Sequence, residues 1–131
     1  MISRNRKIDI WKNGKYIDLW SVNHTLAGCL LGALTFFFRI DFIFGFAVSI
    51  LLMVGWEIYE IIYKVEETPY DRISDVVTGV LGFLAIFALF PKVQIKTADM
   101  IFIGILGLWI FLEWWGYMAY RTIEKSKNGL Y

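Results

Sequence analysis

The sequence predicts an all-α integral membrane protein: a four-helix bundle, antiparallel and up-down, with both termini in the cytoplasm. Three observations carry that reading. Of 131 residues, 58% are hydrophobic and 18% aromatic, and the mean hydropathy is +0.57, too apolar for a soluble domain of this length. Four segments approach the roughly 20 residues a spanning helix needs. The cationic residues are distributed unevenly between the breaks. A formal net charge of +1 argues against a nucleic-acid footprint. The single cysteine, Cys29, excludes an intrachain disulfide.

Residues 1–19 form a basic N-terminal segment. Asn13-Gly14 lies between Ile8-Asp9-Ile10-Trp11 and Tyr16-Ile17-Asp18-Leu19, a hairpin signal. An isolated hairpin is marginal, so an irregular interfacial segment is the preferred reading, with Trp11, Tyr16 and Trp20 at headgroup level. The apolar run that follows is too long for the core of a signal peptide, which makes it a retained span. The membrane domain covers 20–120. Span 1 runs from Trp20 to Phe38. Arg39-Ile40-Asp41 is a very short turn that sets span 2, Phe42 to Tyr63, beside it. Pro69 suits the start of span 3, which runs from Asp71 to Phe90 before Pro91-Lys92 breaks it. Span 4 runs from Ala98 to Tyr120, and 121–131 is a polar tail.

Orientation follows from Lys and Arg. Arg4, Arg6, Lys7, Lys12, Lys15, Lys64, Arg72, Arg121, Lys125 and Lys127 fall on one side, against Arg39, Lys92 and Lys96 on the other. The positive-inside bias makes the richer side cytoplasmic.

Span 2 ends in Gly55-Trp56-Glu57-Ile58-Tyr59-Glu60. A charged side chain at membrane depth costs several kcal/mol (about 3 on insertion scales) and needs a partner. Counting from the outer end of each span, His24, Glu57, Asp75 and Glu113 each lie 14 or 15 residues inward, roughly 21–23 Å at the helical rise. Each helix thus contributes one ionisable residue at one level, with Glu60 and Asp71 a turn nearer the cytoplasm. His24, Gly28 and Gly32 share a face, as do Asp71, Asp75 and Gly79, with Gly82 adjacent. Small residues let helices approach closely in lipid, so the polar residues point toward neighbouring helices.

Carboxylates gathered with one imidazole suit a divalent metal, Zn²⁺, Mn²⁺, Fe²⁺ or Mg²⁺. One His and no Glu-x-x-His excludes the di-iron bundle pattern. Two other solutions stay open: ion pairs with Lys64, Arg72 or Arg121, and protonated or hydrogen-bonded carboxyls served by Ser21, Asn23, Ser74, Thr78 or tyrosine hydroxyls.

Asp18-x-x-Ser21-x-x-His24-x-x-x-Gly28, Trp56-Glu57-x-x-Glu60 and Asp71-x-x-x-Asp75-x-x-x-Gly79-x-x-Gly82 together resemble the VanZ-like membrane proteins and related small families. The resemblance covers residues 18–90. It departs at Glu60, where that group often has Gln, and at Thr78, where an Asn is usual. It implies a membrane bundle and a polar site, in a prokaryotic plasma membrane, without implying a reaction.

The function expected is metal-assisted hydrolysis or transfer on a lipid-borne phosphate or envelope precursor. His24, Glu57, Asp75 and Glu113 would hold the metal, Glu60 or Asp71 would act as general base, and Arg72 would meet an anionic headgroup. Membrane lipid is the expected partner, with self-association through the glycine faces. The alternatives are a proton or cation relay through the carboxylates and an accessory subunit without chemistry.

Overall fold

A computed structural model describes residues 18–63 and 68–127, with side chains as far as 122. The expected N-terminal interfacial segment, the loop residues 64–67 and the end of the tail lie outside the described residues. Four α-helices follow in order: α1 (Leu19–Phe37), α2 (Phe42–Ile62), α3 (Pro69–Leu89) and α4 (Ile95–Lys127), with a 3₁₀ turn over Phe90–Lys92 between the last two. There is no strand among the described residues. The helix starts match the expected spans within three residues. The exception at the other ends is α4, which continues through Lys127 into the segment read as a polar tail. Residues 121–127 contain neither Gly nor Pro to stop it.

The first three helices begin where a side chain can accept the first free amides. Asp18 caps α1, accepting from the Trp20 and Ser21 amides at 2.9 and 3.1 Å, and Ser21 Oγ accepts in return from the Asp18 amide. Asp41 caps α2 through the Phe44 amide. Thr68 caps α3, with Pro69 at the first helical position, and Asp71 closes the reciprocal box. Burial pushes the Asp18 carboxyl above the usual range, and repulsion from Asp71 adds to this. The capping amides of Ser21 and Trp20 pull the other way. A carboxyl whose folded pKa is raised favours the fold below its unfolded value and loses that contribution as pH rises through the folded one. Asp18→Asn keeps a capping oxygen and removes the charge. It should therefore leave thermal stability at neutral pH unchanged or slightly higher and flatten its dependence above mildly acidic pH. Asp18→Ala should cost about 1 kcal/mol in the same detergent melts.

The connection between α1 and α2 carries a second local feature. Arg39 has φ 52°, in the left-handed region that disfavours a side chain with a Cβ. Arg39→Gly should raise stability by about 1 kcal/mol, read as a shift in the unfolding midpoint.

The closest packing in the bundle is between α1 and α3, and glycine makes it. A Cβ at Gly28 would overlap the Gly79 carbonyl oxygen, one at Gly32 the Phe83 carbonyl, and one at Gly82 the Thr25 carbonyl. Backbones therefore touch where the side chains are missing. α2 joins this pair through Thr35 against Gly45 and Met53 against Gly79, and through the rings of Phe42 and Phe46 against Phe83. α4 packs on α1, with Phe37 and Phe102 edge to face at 5.6 Å. Ala33, Ile86, Phe90 and Ala98 form an apolar core at the end remote from His24.

The distribution of polarity is inverted relative to a water-soluble bundle. Ser21, Asn23, Thr35, Ser49, Glu57 and Asp75 are buried, while Ile43, Leu51 and Met100 are 70% exposed or more. Three helical stretches, Phe42–Ile62, Pro69–Lys92 and Ile95–Thr122, are long and apolar enough to cross a membrane. The first helix, expected as a fourth span, is not among them. Its first two turns carry Ser21, Asn23, His24 and Thr25, which shortens its apolar length. Its polar and small residues are turned into the bundle instead.

Candidate functional site

Ser21, His24 and Gly28 lie on the α1 face that meets α3. Asp75 and Thr78 occupy the matching turn of α3, the turn that leads into Gly79. Because the glycine contact draws the two backbones together, short polar side chains reach across. Ser21 Oγ donates to Asp75 Oδ1. Thr78 Oγ1 donates to the Ser21 carbonyl at 3.2 Å, which also accepts from Thr25 Oγ1. With Oδ1 held by Ser21, the other oxygen of Asp75 is aimed at His24. Such an outer hydrogen bond fixes the direction of a liganding carboxylate.

His24 Nε2 lies 3.7 Å from Asp75 Oδ2 and 3.8 Å from Glu57 Oε1. One donor atom from each of the three side chains lies within 4.8 Å of the others. Glu57 and Asp75 are 6% and 2% exposed, and the His24 side chain 12%. Three helices thus supply two carboxylates and one imidazole to a single buried point. The His24 separations are too long for direct hydrogen bonds and close to those of donors around one ion. A tetrahedral ion with bonds near 2.1 Å sets its donors about 3.4 Å apart, a few tenths of an ångström tighter than the two His24 separations. The group could hold a metal ion. Without one, a protonated His24 would form an ion triad with the two carboxylates.

The depth count brought together three of its four residues. Glu113 stands beside the cluster and accepts from Asn23 Nδ2 at 2.7 Å. The two proposed general bases are held in other contacts: Glu60 accepts from Trp56 Nε1 at 2.9 Å, and Asp71 Oδ2 accepts from the Thr68 hydroxyl and amide. Arg72 is half-buried in the first turn of α3. The contacts missed from sequence are those of Ser21 with Asp75 and of Asn23 with Glu113. The sequence marks Ser21 and Asn23 as hydrogen-bonding groups without specifying their partners.

A cleft of about 140 Å³ opens beside His24. Asn23, His24 and Glu113 give it a polar end, and Ala27, Leu31, Leu52 and Met53 give it apolar walls. Trp20, Trp56 and Trp109 complete the lining.

Fold and site together define an all-helical protein with three membrane-length helices and a buried His/Glu/Asp cluster that could bind a metal. No protein-family model, curated protein or solved structure matches the chain.

Proposed function

We propose that this chain is a four-span membrane protein, similar to the VanZ-like group, that binds a divalent cation through His24, Glu57 and Asp75. The observation that carries the reading is the buried three-helix donor set, with Nε2 3.7 and 3.8 Å from one oxygen of each carboxylate. Two carboxylates neutralise a dication, and mixed nitrogen and oxygen ligands favour Zn²⁺ or Mn²⁺ over Mg²⁺. The up-down topology is supported by the contacts. Positions on α1 and α3 advance together (Ser21 with Asp75, Gly32 with Phe83). Those on α1 and α2 run oppositely, with His24 by Glu57 and Thr35 by Gly45. The excess of Lys and Arg puts the site nearer the cytoplasmic face.

A bound dication would supply Lewis acidity and a water of lowered pKa. Around it, Ser21 orients Asp75, and Asn23 and Glu113 line the adjoining cleft. The reaction class that suits this set is hydrolysis or transfer on a lipid-borne phosphate or envelope precursor. Glu60, Asp71 and Arg72 lie on the cytoplasmic side, where an ionic headgroup would enter.

The test is elemental analysis of protein purified in mild detergent. One equivalent of metal is expected. His24→Ala and Asp75→Asn should each lower metal affinity at least tenfold while far-ultraviolet circular dichroism stays helical. Metal-free wild-type protein that gains no dication in a titration sinks the reading. Proton or cation relay remains the second proposal, and a current across liposomes that responds to pH or cation would favour it.

A further inference from the structure

We propose that the cleft beside His24 binds a single-chain lipid alcohol, a long apolar tail ending in a hydroxyl. The proposal rests on the membrane reading above and assigns the class of molecule that approaches the site. Its first support is a pair of buried polar atoms with no hydrogen-bond partner among the described residues, Asn23 Oδ1 and Trp109 Nε1. Both residues line the cleft. An acceptor and a donor left unmatched at one apolar site each cost free energy until something pairs with them.

Glu113 fixes which atom Asn23 offers. The Glu113 carboxylate accepts the Asn23 NH₂ at 2.7 Å. The Asn23 amide cannot turn over without losing that bond, and Oδ1 is the atom left over. Trp109 offers only its N–H. A ligand group that donates and accepts at once, as a neutral hydroxyl does, complements this pair. Donation to Asn23 Oδ1 and acceptance from Trp109 Nε1 would satisfy both residues.

Charge selects against the anionic alternative. Among the described residues no Lys or Arg lines the cleft, and Glu113 does, so a phosphate seated between Asn23 and Trp109 would meet the Glu113 carboxylate and no basic side chain. The walls select the tail. Ala27, Leu31, Leu52 and Met53 are apolar, and Leu52 is 56% exposed on the outside of the bundle. A chain can thus leave the cleft sideways into lipid. The hydroxyl end comes to rest beside His24, as the acceptor or the released alcohol of a transfer at the cation site would.

The test uses the full chain in lipid nanodiscs and quenching of its tryptophans by an ω-bromo long-chain alcohol. A bromoalkane of the same length and an ω-bromoalkyl phosphate serve as comparisons. Saturable quenching by the alcohol is expected, with affinity about a hundredfold above either comparison, the worth of two buried hydrogen bonds at about tenfold each. Trp109→Phe, with Trp20 and Trp56 still reporting, should lower alcohol affinity about tenfold and leave the bromoalkane unchanged. Asn23→Leu should do the same, and circular dichroism checks that both variants fold. Equal quenching by alcohol and alkane would mean an unspecific lipid groove and overturns the proposal, as does tightest binding of the phosphate. Metal content measured on the same samples separates the two ideas. Bound metal without alcohol preference defeats only this proposal; alcohol preference without metal defeats only the cation reading.

Discussion

Gly28→Ala is expected to destabilise the bundle by about 3 kcal/mol, the upper part of the range for overpacked cores. The added methyl would occupy the position of the Gly79 carbonyl oxygen. A backbone atom cannot rotate away as a side-chain tip can, so α1 and α3 must separate. The displacement would propagate to the site, because Ser21 and Thr78 bridge the same two helices within two turns of Gly28. Metal affinity and stability should therefore fall together. The internal control is the same substitution at Gly104 on α4, where a Cβ meets nothing within 4 Å. There alanine should stabilise by about 0.5–1 kcal/mol through helix propensity. Unfolding in mixed micelles reads both variants, and equal effects at the two positions would refute the backbone-contact account.

Glycine faces were among the most legible features of the chain. The spacing of Gly28 and Gly32, and of Gly79 and Gly82, marked sides of helices where backbones meet. Spacing did not say which helix meets which. The three-residue turn at Arg39 sets α2 beside α1, where Thr35 meets Gly45, while the closest backbone approach is between α1 and α3. Connection length limits which helices can be adjacent, whereas closeness of approach is decided by where glycine meets glycine. Gly28, Gly32 and Gly82 lie against backbone inside the bundle. Gly55, Gly104 and Gly107 face open space.

The candidate site was legible in depth and only partly in angle. Rise per residue places His24, Glu57 and Asp75 at one level, and they converge. Glu113 has the same depth, but its rotation about the α4 axis brings it to Asn23. Residue counting gives height along a helix, and the angular position depends on how α4 seats against α1. Trp109 carried no signal in the sequence because an indole inside an apolar run reads as lipid-facing. Asp71 looked like a free carboxylate near the site, but the sequence Thr68-Pro69-Tyr70-Asp71 also fits a capping box, and that local pattern prevails.

His24→Leu should cost about 3–5 kcal/mol, the usual penalty for removing one partner from a buried ionic cluster. Glu57 and Asp75 would then face each other across an apolar side chain, with no imidazole between them. Replacing all three residues, His24→Leu, Glu57→Leu and Asp75→Leu, removes the uncompensated charge and should be less destabilising than His24→Leu alone. That non-additivity is the mark of residues acting as a unit, and it holds for a metal site and an ion triad alike. Chelation separates the two. A ligand present at a hundred times its Kd stabilises by about 2.7 kcal/mol, so adding a chelator to metal-loaded wild type should lower the unfolding midpoint accordingly. His24→Leu and the triple variant, lacking the imidazole, should not respond. A wild-type midpoint indifferent to both metal and chelator would assign the cluster to fixing helix register through charge alone. Metal-dependent stability lost with His24 would assign it to cation binding.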